Sequence, residues 1–263
     1  MRPNLLRAAM ADGNVAANAW ISSGGTYAAE ALSHAGFDSV TIDLQHGMFG
    51  IDTAIALLQA VSSGPAVPMV RCSRSDPAEI GKLLDAGAYG IICPSIDDAV
   101  ACADFVSACR YPGAGVRSFG PSRGLLYGGP DYVAHADTTV LTWAMIESAA
   151  ALSNLDEIVA VGGLDGVYIG PNDLALSLGE RPGGELSEPV LAAIVRVVSA
   201  ARRRRIYVGA FCGDEDAARQ LVDLGLDLVT PGNDISLLRD AATRRLAAIR
   251  GHRALATVDA GGY

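Results

Sequence analysis

The sequence predicts an α/β protein, a single (β/α)8 TIM barrel spanning residues 1–263. Three observations predict it. Eight short apolar segments alternate with helical patterns from end to end. The connections from helix to strand repeat one kind of turn, seen in HAGFDSV, DAGAYGI, VGGLDGV and DLGLDLV. The length of 263 residues sits close to the roughly 250 typical of such a barrel. An open doubly wound sheet is the rival architecture, but no G-x-G-x-x-G follows the first strand.

The strand candidates are 16–22, 38–44, 66–72, 90–96, 139–147, 166–171, 206–212 and 227–232, each bounded by Gly, Pro, Asp or Asn. Between them, patterns such as DTAIALLQAVSSG, DPAEIGKLLDAGA and EPVLAAIVRVVSAARRR open on Asp, Ser or Glu-Pro, and many close at Gly. ISLLRDAATRRLAAIR supplies the last helix. Two stretches break the alternation. Residues 110–138, rich in Gly, Pro and Arg, read as a long loop of the lid or binding kind. Residues 253–263 read as a poorly ordered tail or one that packs on another subunit. Arg202–Arg205 read as a solvated helix end, where cations oppose the dipole.

Composition narrows the function. Half the residues are hydrophobic, and the net charge of −9 opposes a phosphate backbone, so nucleic acid is excluded as a partner. Five cysteines without a C-x-x-C pair imply buried, reduced thiols in a cytoplasmic protein. The first residues, MRPNLLRAAMADG, lack the apolar core of a signal peptide, and no run approaches the roughly 20 residues of a membrane span.

In a barrel of this kind the chemistry sits where the strands end. Side chains alternate across a strand, so Asp43 shares a face with Thr41, opposite Val40, Ile42 and Leu44. The apolar set suits the helix layer, which leaves Asp43 at the barrel mouth, close to His46. By the same alternation Glu147 points inward with Trp143 and Met145. Arg71 ends the third strand, and Gly170-Pro171-Asn172-Asp173 follows the sixth. Each residue alone is a weak signal, whereas their convergence on one rim marks an active site. Two carboxylates without a His or Cys cluster suit Mg2+, Mn2+ or Co2+ acting as a Lewis acid on a carbonyl. The Gly170–Asp173 turn offers backbone N–H groups to a substrate carboxylate.

The segments FDSVTIDLQHG (37–47), PMVR (68–71), YPGAGVRSFGPSRG (111–124), MIESAAALSNLDEIVAVGGLDGVYIGPNDLALSLG (145–179) and VTPGND (229–234) resemble the 4-hydroxy-2-oxoheptanedioate and 2-keto-3-deoxyglucarate aldolases. These are class II pyruvate aldolases of the phosphoenolpyruvate/pyruvate barrel superfamily, and the likeness covers nearly the whole chain. The resemblance implies reversible cleavage of 4-hydroxy-2-oxoacids to pyruvate and an aldehyde through a metal-stabilised enolate. It makes Glu147 and Asp173 the metal ligands and His46, partnered by Asp43, the acid/base. Arg71 falls on the enolate oxygen, and the amides around Asn172 and Asp173 on the pyruvate carboxylate. It also implies a trimer-based homohexamer. Lys82, the sole lysine, belongs to a helix, which disfavours an imine route. The sequence departs from the family at Met145, where many members have Gln, and at Gln45, where some have Glu. Arg117 and Arg123 are candidates either for an anionic aldehyde or for subunit salt bridges. The rival functions are oxaloacetate decarboxylation or a related lyase reaction at the same site, and a non-catalytic binding barrel.

Overall fold

Eight parallel strands pair in chain order and the eighth returns to the first, closing the barrel in this computed structural model, which describes residues 1–250. They are β1 (Ala16–Ile21), β2 (Ser39–Asp43), β3 (Val67–Arg71), β4 (Gly90–Cys93), β5 (Leu141–Ile146), β6 (Gly166–Ile169), β7 (Tyr207–Phe211) and β8 (Leu228–Thr230). Every expected strand is present, trimmed at its ends.

The period-two reading of each strand holds. Val40, Ile42, Ala144 and Ile146 join the cluster packed under the helices, whereas Trp20, Met69, Leu141, Trp143, Met145 and Tyr168 fill the barrel interior. Glycines make room for the large rings. A Cβ on Gly166 would lie 2.6 Å from the Trp143 ring, and one on Gly209 would lie 3.0 Å from Tyr168. Beneath the mouth a buried polar layer is fully knitted: Asn18 Nδ2 donates to Thr230 Oγ1 (2.9 Å), Ser39 and Thr41 hydroxyls donate to Asn18 Oδ1, and Tyr168 shares a 2.7 Å bond with Thr230. Pairing within this layer removes the cost of burying its polar atoms.

The repeated Gly-x-Asp turn has a structural purpose. Asp38, Asp165 and Asp227 each stand just before a strand, and each accepts a backbone N–H from the preceding strand: Ala17 (2.8 Å), Thr142 (2.9 Å) and Val208 (2.8 Å) respectively. At the fourth repeat Tyr89 replaces Asp, and its carbonyl instead accepts from Asn4 Nδ2 at 3.2 Å. Asp165 is the most heavily engaged, also pairing with Arg7 (2.8 Å) and Arg110 (3.0 Å). Asp165→Ala leaves the buried Arg110 without this carboxylate. We expect a loss of roughly 3–5 kcal/mol, read from urea unfolding.

Residues 110–138 correct the expectation of a structureless loop. They carry the helices Ser122–Gly128 and Tyr132–Thr139, the latter closing at residue 139. The segment also lies at the end of the barrel where strands begin, away from the mouth. Arg117 pairs with Asp85 (2.9 Å) and Tyr132 (3.0 Å), and Arg123 donates to the Ala86 carbonyl (2.5 Å), both where helix Pro77–Asp85 leads into β4. An N-terminal helix, Leu5–Ala11, which the sequence reading lacked, packs Leu6 and Met10 into the barrel interior cluster. Arg202 and Arg203 end helix Glu188–Arg204 as expected, paired with Asp227 (2.8 Å) and Asp156 (2.7 Å). Among the described residues no helix is long and apolar enough to cross a membrane. The tail 253–263 lies outside the described residues.

Candidate active site

Register brings the expected residues to one rim. Asp43 and Arg71 are Cα partners across β2 and β3, so their side chains emerge side by side at the strand ends. Both are almost completely buried. Arg71 Nε donates to Asp43 Oδ1 at 2.8 Å and Nη2 to Oδ2 at 2.5 Å, a two-pronged pair that fixes the guanidinium plane. Trp20, at the end of β1, adds an indole N–H to Asp43 Oδ2 at 3.1 Å and lays its ring under Arg71, 4.9 Å from the guanidinium carbon. The same ring stacks on Tyr168 and meets Phe211 edge-on. Burial pushes the Asp43 carboxyl up, but the hydrogen bonds and charge of Arg71 outweigh it and hold the group below the usual carboxylate range.

Asp43 Oδ1 also accepts the backbone N–H groups of Gln45 (3.0 Å) and His46 (3.2 Å). The carboxylate therefore fixes the turn that carries His46. His46 itself lies exposed at the rim.

Across the mouth, Glu147 extends β5 by one residue. Its Oε1 accepts the Ser95 N–H at 2.7 Å, while Oε2 is buried with no hydrogen-bond partner. Burial pushes the Glu147 carboxyl up, the Ser95 N–H pulls it part of the way back, and the nearby charge of Asp173 adds to the rise. Ser95 holds φ at +56°, in the left-handed region. That conformation turns its N–H toward Glu147, and strain of this kind at a site marks a constrained position. Ser95→Gly keeps the N–H and removes the steric cost. It is expected to preserve activity and to stabilise the fold by about 1 kcal/mol in thermal or denaturant unfolding.

Gly170, capping helix Pro171–Ser177, completes this wall because a Cβ there would stand 2.9 Å from Glu147 Oε2 and 3.1 Å from Met145 Cε. Asp173 sits exposed in the first turn, and Asn172 Oδ1 accepts the Gly183 N–H at 2.9 Å, tying down the following loop. Trp20, Arg71, Met145, Tyr168, Gly170, Pro171, Asn172, Asp173, Phe211 and Asn233 together line a small cavity at the mouth, open to solvent. Among the described residues no group of three or more His, Cys, Asp or Glu gathers around a common point. An orphaned buried carboxylate oxygen beside a second, exposed carboxylate fits a hard cation that keeps positions for water and substrate.

A profile described as HpcH/HpaI aldolase/citrate lyase matches residues 17–241. The chain belongs to the HpcH/HpaI aldolase family. A hydroxypyruvate/pyruvate aldolase of Rhizorhabdus wittichii is 42% identical over 94% of this chain and 99% of its own length. A 4-hydroxy-2-oxo-heptane-1,7-dioate aldolase of Klebsiella pneumoniae is 35% identical, covering 97% of both chains. The crystal structure of an HpcH/HpaI family protein from Burkholderia cenocepacia superposes with a TM-score of 0.88 at 33% identity, over 94% of this chain and 99% of that one. The protein is thus a carbon–carbon lyase of the aldolase type, and the non-catalytic reading is set aside.

In this HpcH/HpaI aldolase the structure adds site residues that the sequence reading missed. Trp20 was detectable as an aromatic closing a strand, but its bond to Asp43 depends on the β1–β2 register, which pairs Trp20 with Thr41. Ser95 gave no signal, since its part is played by a backbone N–H. Asp234, in the VTPGND segment, accepts from the backbone N–H groups and hydroxyls of Ser22 and Ser23 and so locks the β8 rim to β1. The thiols behave as expected. All five cysteines are free, four are buried, and burial pushes Cys102, Cys109 and Cys212 each up to about 12.

Proposed function

We propose that this chain is a divalent-metal-dependent class II aldolase that cleaves 4-hydroxy-2-oxoacids reversibly to pyruvate and an aldehyde. The observation that carries the reading is Glu147 Oε2, buried and unpartnered against Gly170, which lines the same cavity as Arg71 and Asp173, and near enough to both of those charges to feel them. Glu147 and Asp173 would hold Mg2+, Mn2+ or Co2+, which when bound supplies Lewis-acid polarisation of the 2-oxo oxygen. The backbone N–H groups of Asn172 and Asp173, in the turn begun by Gly170 and Pro171, receive the substrate carboxylate. Arg71, held in plane by Asp43 and Trp20, presents N–H donors where negative charge grows on the 2-oxo oxygen as the C3–C4 bond breaks. His46, on the turn that Asp43 fixes, takes the C4 hydroxyl proton through water as the C3–C4 bond breaks and returns a proton by the same route to C3, which becomes the pyruvate methyl.

His46→Ala should therefore slow turnover by roughly 10²–10⁴-fold while leaving metal binding intact. Function is tested by pyruvate release from a panel of 4-hydroxy-2-oxoacids, with and without Mn2+ or Co2+, coupled to lactate dehydrogenase. Metal-dependent release is the expected result, and turnover that survives a chelator would reject it. Oxaloacetate decarboxylation passes through the same enolate and is expected as a side activity. Because one relative bears the name hydroxypyruvate/pyruvate aldolase, hydroxypyruvate belongs in the panel as a second donor.

The reading extends to assembly and location. Helix Asp234–Arg250 buries only Asp234, and Leu238 and Ile249 are 65% and 82% exposed. Such a face supports a homo-oligomer, a trimer or hexamer, to be read from light scattering after gel filtration. Free, mostly buried thiols support a cytoplasmic location.

A further inference from the structure

We propose that the acceptor aldehyde of this enzyme is uncharged; the inference rests on the aldolase reading above and specifies its second substrate. Among the described residues lining the mouth cavity, Arg71 is the only Arg or Lys, and it is already paired with Asp43. Glu147 and Asp173 are matched to the cation they would hold. The pyruvyl carboxylate has the Asn172 and Asp173 amides, so a second carboxylate entering the mouth meets no further Arg or Lys among the described residues that line it.

The spaces that adjoin the mouth are no better suited to an anion. Pro171, Asn172 and Phe211 line both the mouth cavity and a neighbouring cleft, formed between the loop around Gly183–Gly184 and the segment 212–214. Gly184, Leu186 and Asp214 then carry that cleft into an outer groove whose charged wall is Glu185, Asp214 and Asp216. Asp216 is ion-paired with Arg219, which leaves Glu185 and Asp214 as the charges a ligand would pass. Asp214 caps its helix by accepting the Ala217 N–H at 2.8 Å. Exposed Arg181, in the same loop, lines neither space. Arg74, on the β3 side of the rim, faces Asp76. The two arginines that the sequence offered to an anionic aldehyde, Arg117 and Arg123, are bonded at the opposite end of the barrel. A carboxylate on the acceptor would thus be desolvated against like charge, whereas a neutral aldehyde would keep only its size to accommodate.

The test compares two acceptors of the same skeleton, succinic semialdehyde and methyl 4-oxobutanoate, in condensation with pyruvate and Mn2+. The neutral ester is expected to react with a kcat/KM at least about tenfold higher, a difference of about 1.4 kcal/mol, carried largely in KM. Glu185→Lys and Asp214→Asn, which keeps a capping side chain, should each narrow the gap by improving the acid alone. Raising the ionic strength should narrow it as well. An acid used as well as or better than the ester would overturn the proposal. Exchange of the pyruvate methyl protons for deuterium, followed by NMR without any acceptor, separates the two layers. Mn2+-dependent exchange together with a preference for the acid would reject the acceptor assignment alone. Absence of exchange would reject the aldolase reading and this inference with it.

Discussion

Glu147→Gln is expected to abolish pyruvate release and, in the metal-free protein, to raise stability. The two effects share one cause. Glu147 is buried, its Oε2 has no hydrogen-bond partner, and burial with the charge of Asp173 raises its pKa above the unfolded value. For a carboxyl shifted in that direction, the stability present below the unfolded pKa is lost as pH rises through the folded pKa. Glutamine mimics the protonated form and retains an oxygen for the Ser95 N–H. Unfolding in the presence of a chelator should therefore show the variant more stable than the parent above that window and level with it below. Saturating Mn2+ should reverse the order, because a ligand that binds only the folded parent stabilises it. A residue whose removal stabilises the empty protein and silences the enzyme is one kept for function rather than for folding.

Arg71→Met carries the second large effect. Removing the guanidinium deletes the donor proposed for the 2-oxo oxygen and leaves Asp43, fully buried, without its bidentate partner. Loss of one such donor costs about 10²–10³-fold in kcat. Breaking a buried pair on one side costs roughly 3–5 kcal/mol of stability. The double variant Arg71→Met/Asp43→Asn separates the two contributions. The added Asn should restore much of the stability, since the buried negative charge is gone, and none of the turnover. Recovery of turnover in the double variant would mean that Arg71 acts only as a counter-ion to Asp43.

The barrel was legible because two periodicities and one recurrent turn speak for it at every step. The inward faces of Asp43 and Glu147 were legible from alternation along their strands, and Arg71 and Asp173 from their places at and after strand ends, which a barrel brings to one rim. What escaped reading depends on contacts between distant segments. Residues 110–138 look like a loop by Gly and Pro content, yet Arg117, buried against Asp85, Tyr111 and Tyr132, organises them into a packed crossover. Their place at the strand-start end follows from topology alone: a segment leaving helix Ala99–Ala108 and entering β5 must lie there. Helix Leu5–Ala11 is short enough that its pattern is no guide, and it is fixed by Asn4 bonding the carbonyls of Tyr89 and Thr139. Trp20 and Ser95 serve the site through one indole N–H and one backbone N–H, neither of which leaves a mark in sequence spacing.

The central claim is that Glu147 and Asp173 hold one divalent cation at the mouth while Arg71 and His46 act on substrate without holding it. Mn2+ binding, measured by calorimetry on the parent protein and on Glu147→Gln, Asp173→Asn and His46→Ala, tests it most directly. The parent is expected to bind Mn2+ at one tight site per chain, lost in both carboxylate variants and kept in His46→Ala. Binding that survives in the carboxylate variants, or that disappears in His46→Ala as fully as in the others, would contradict it.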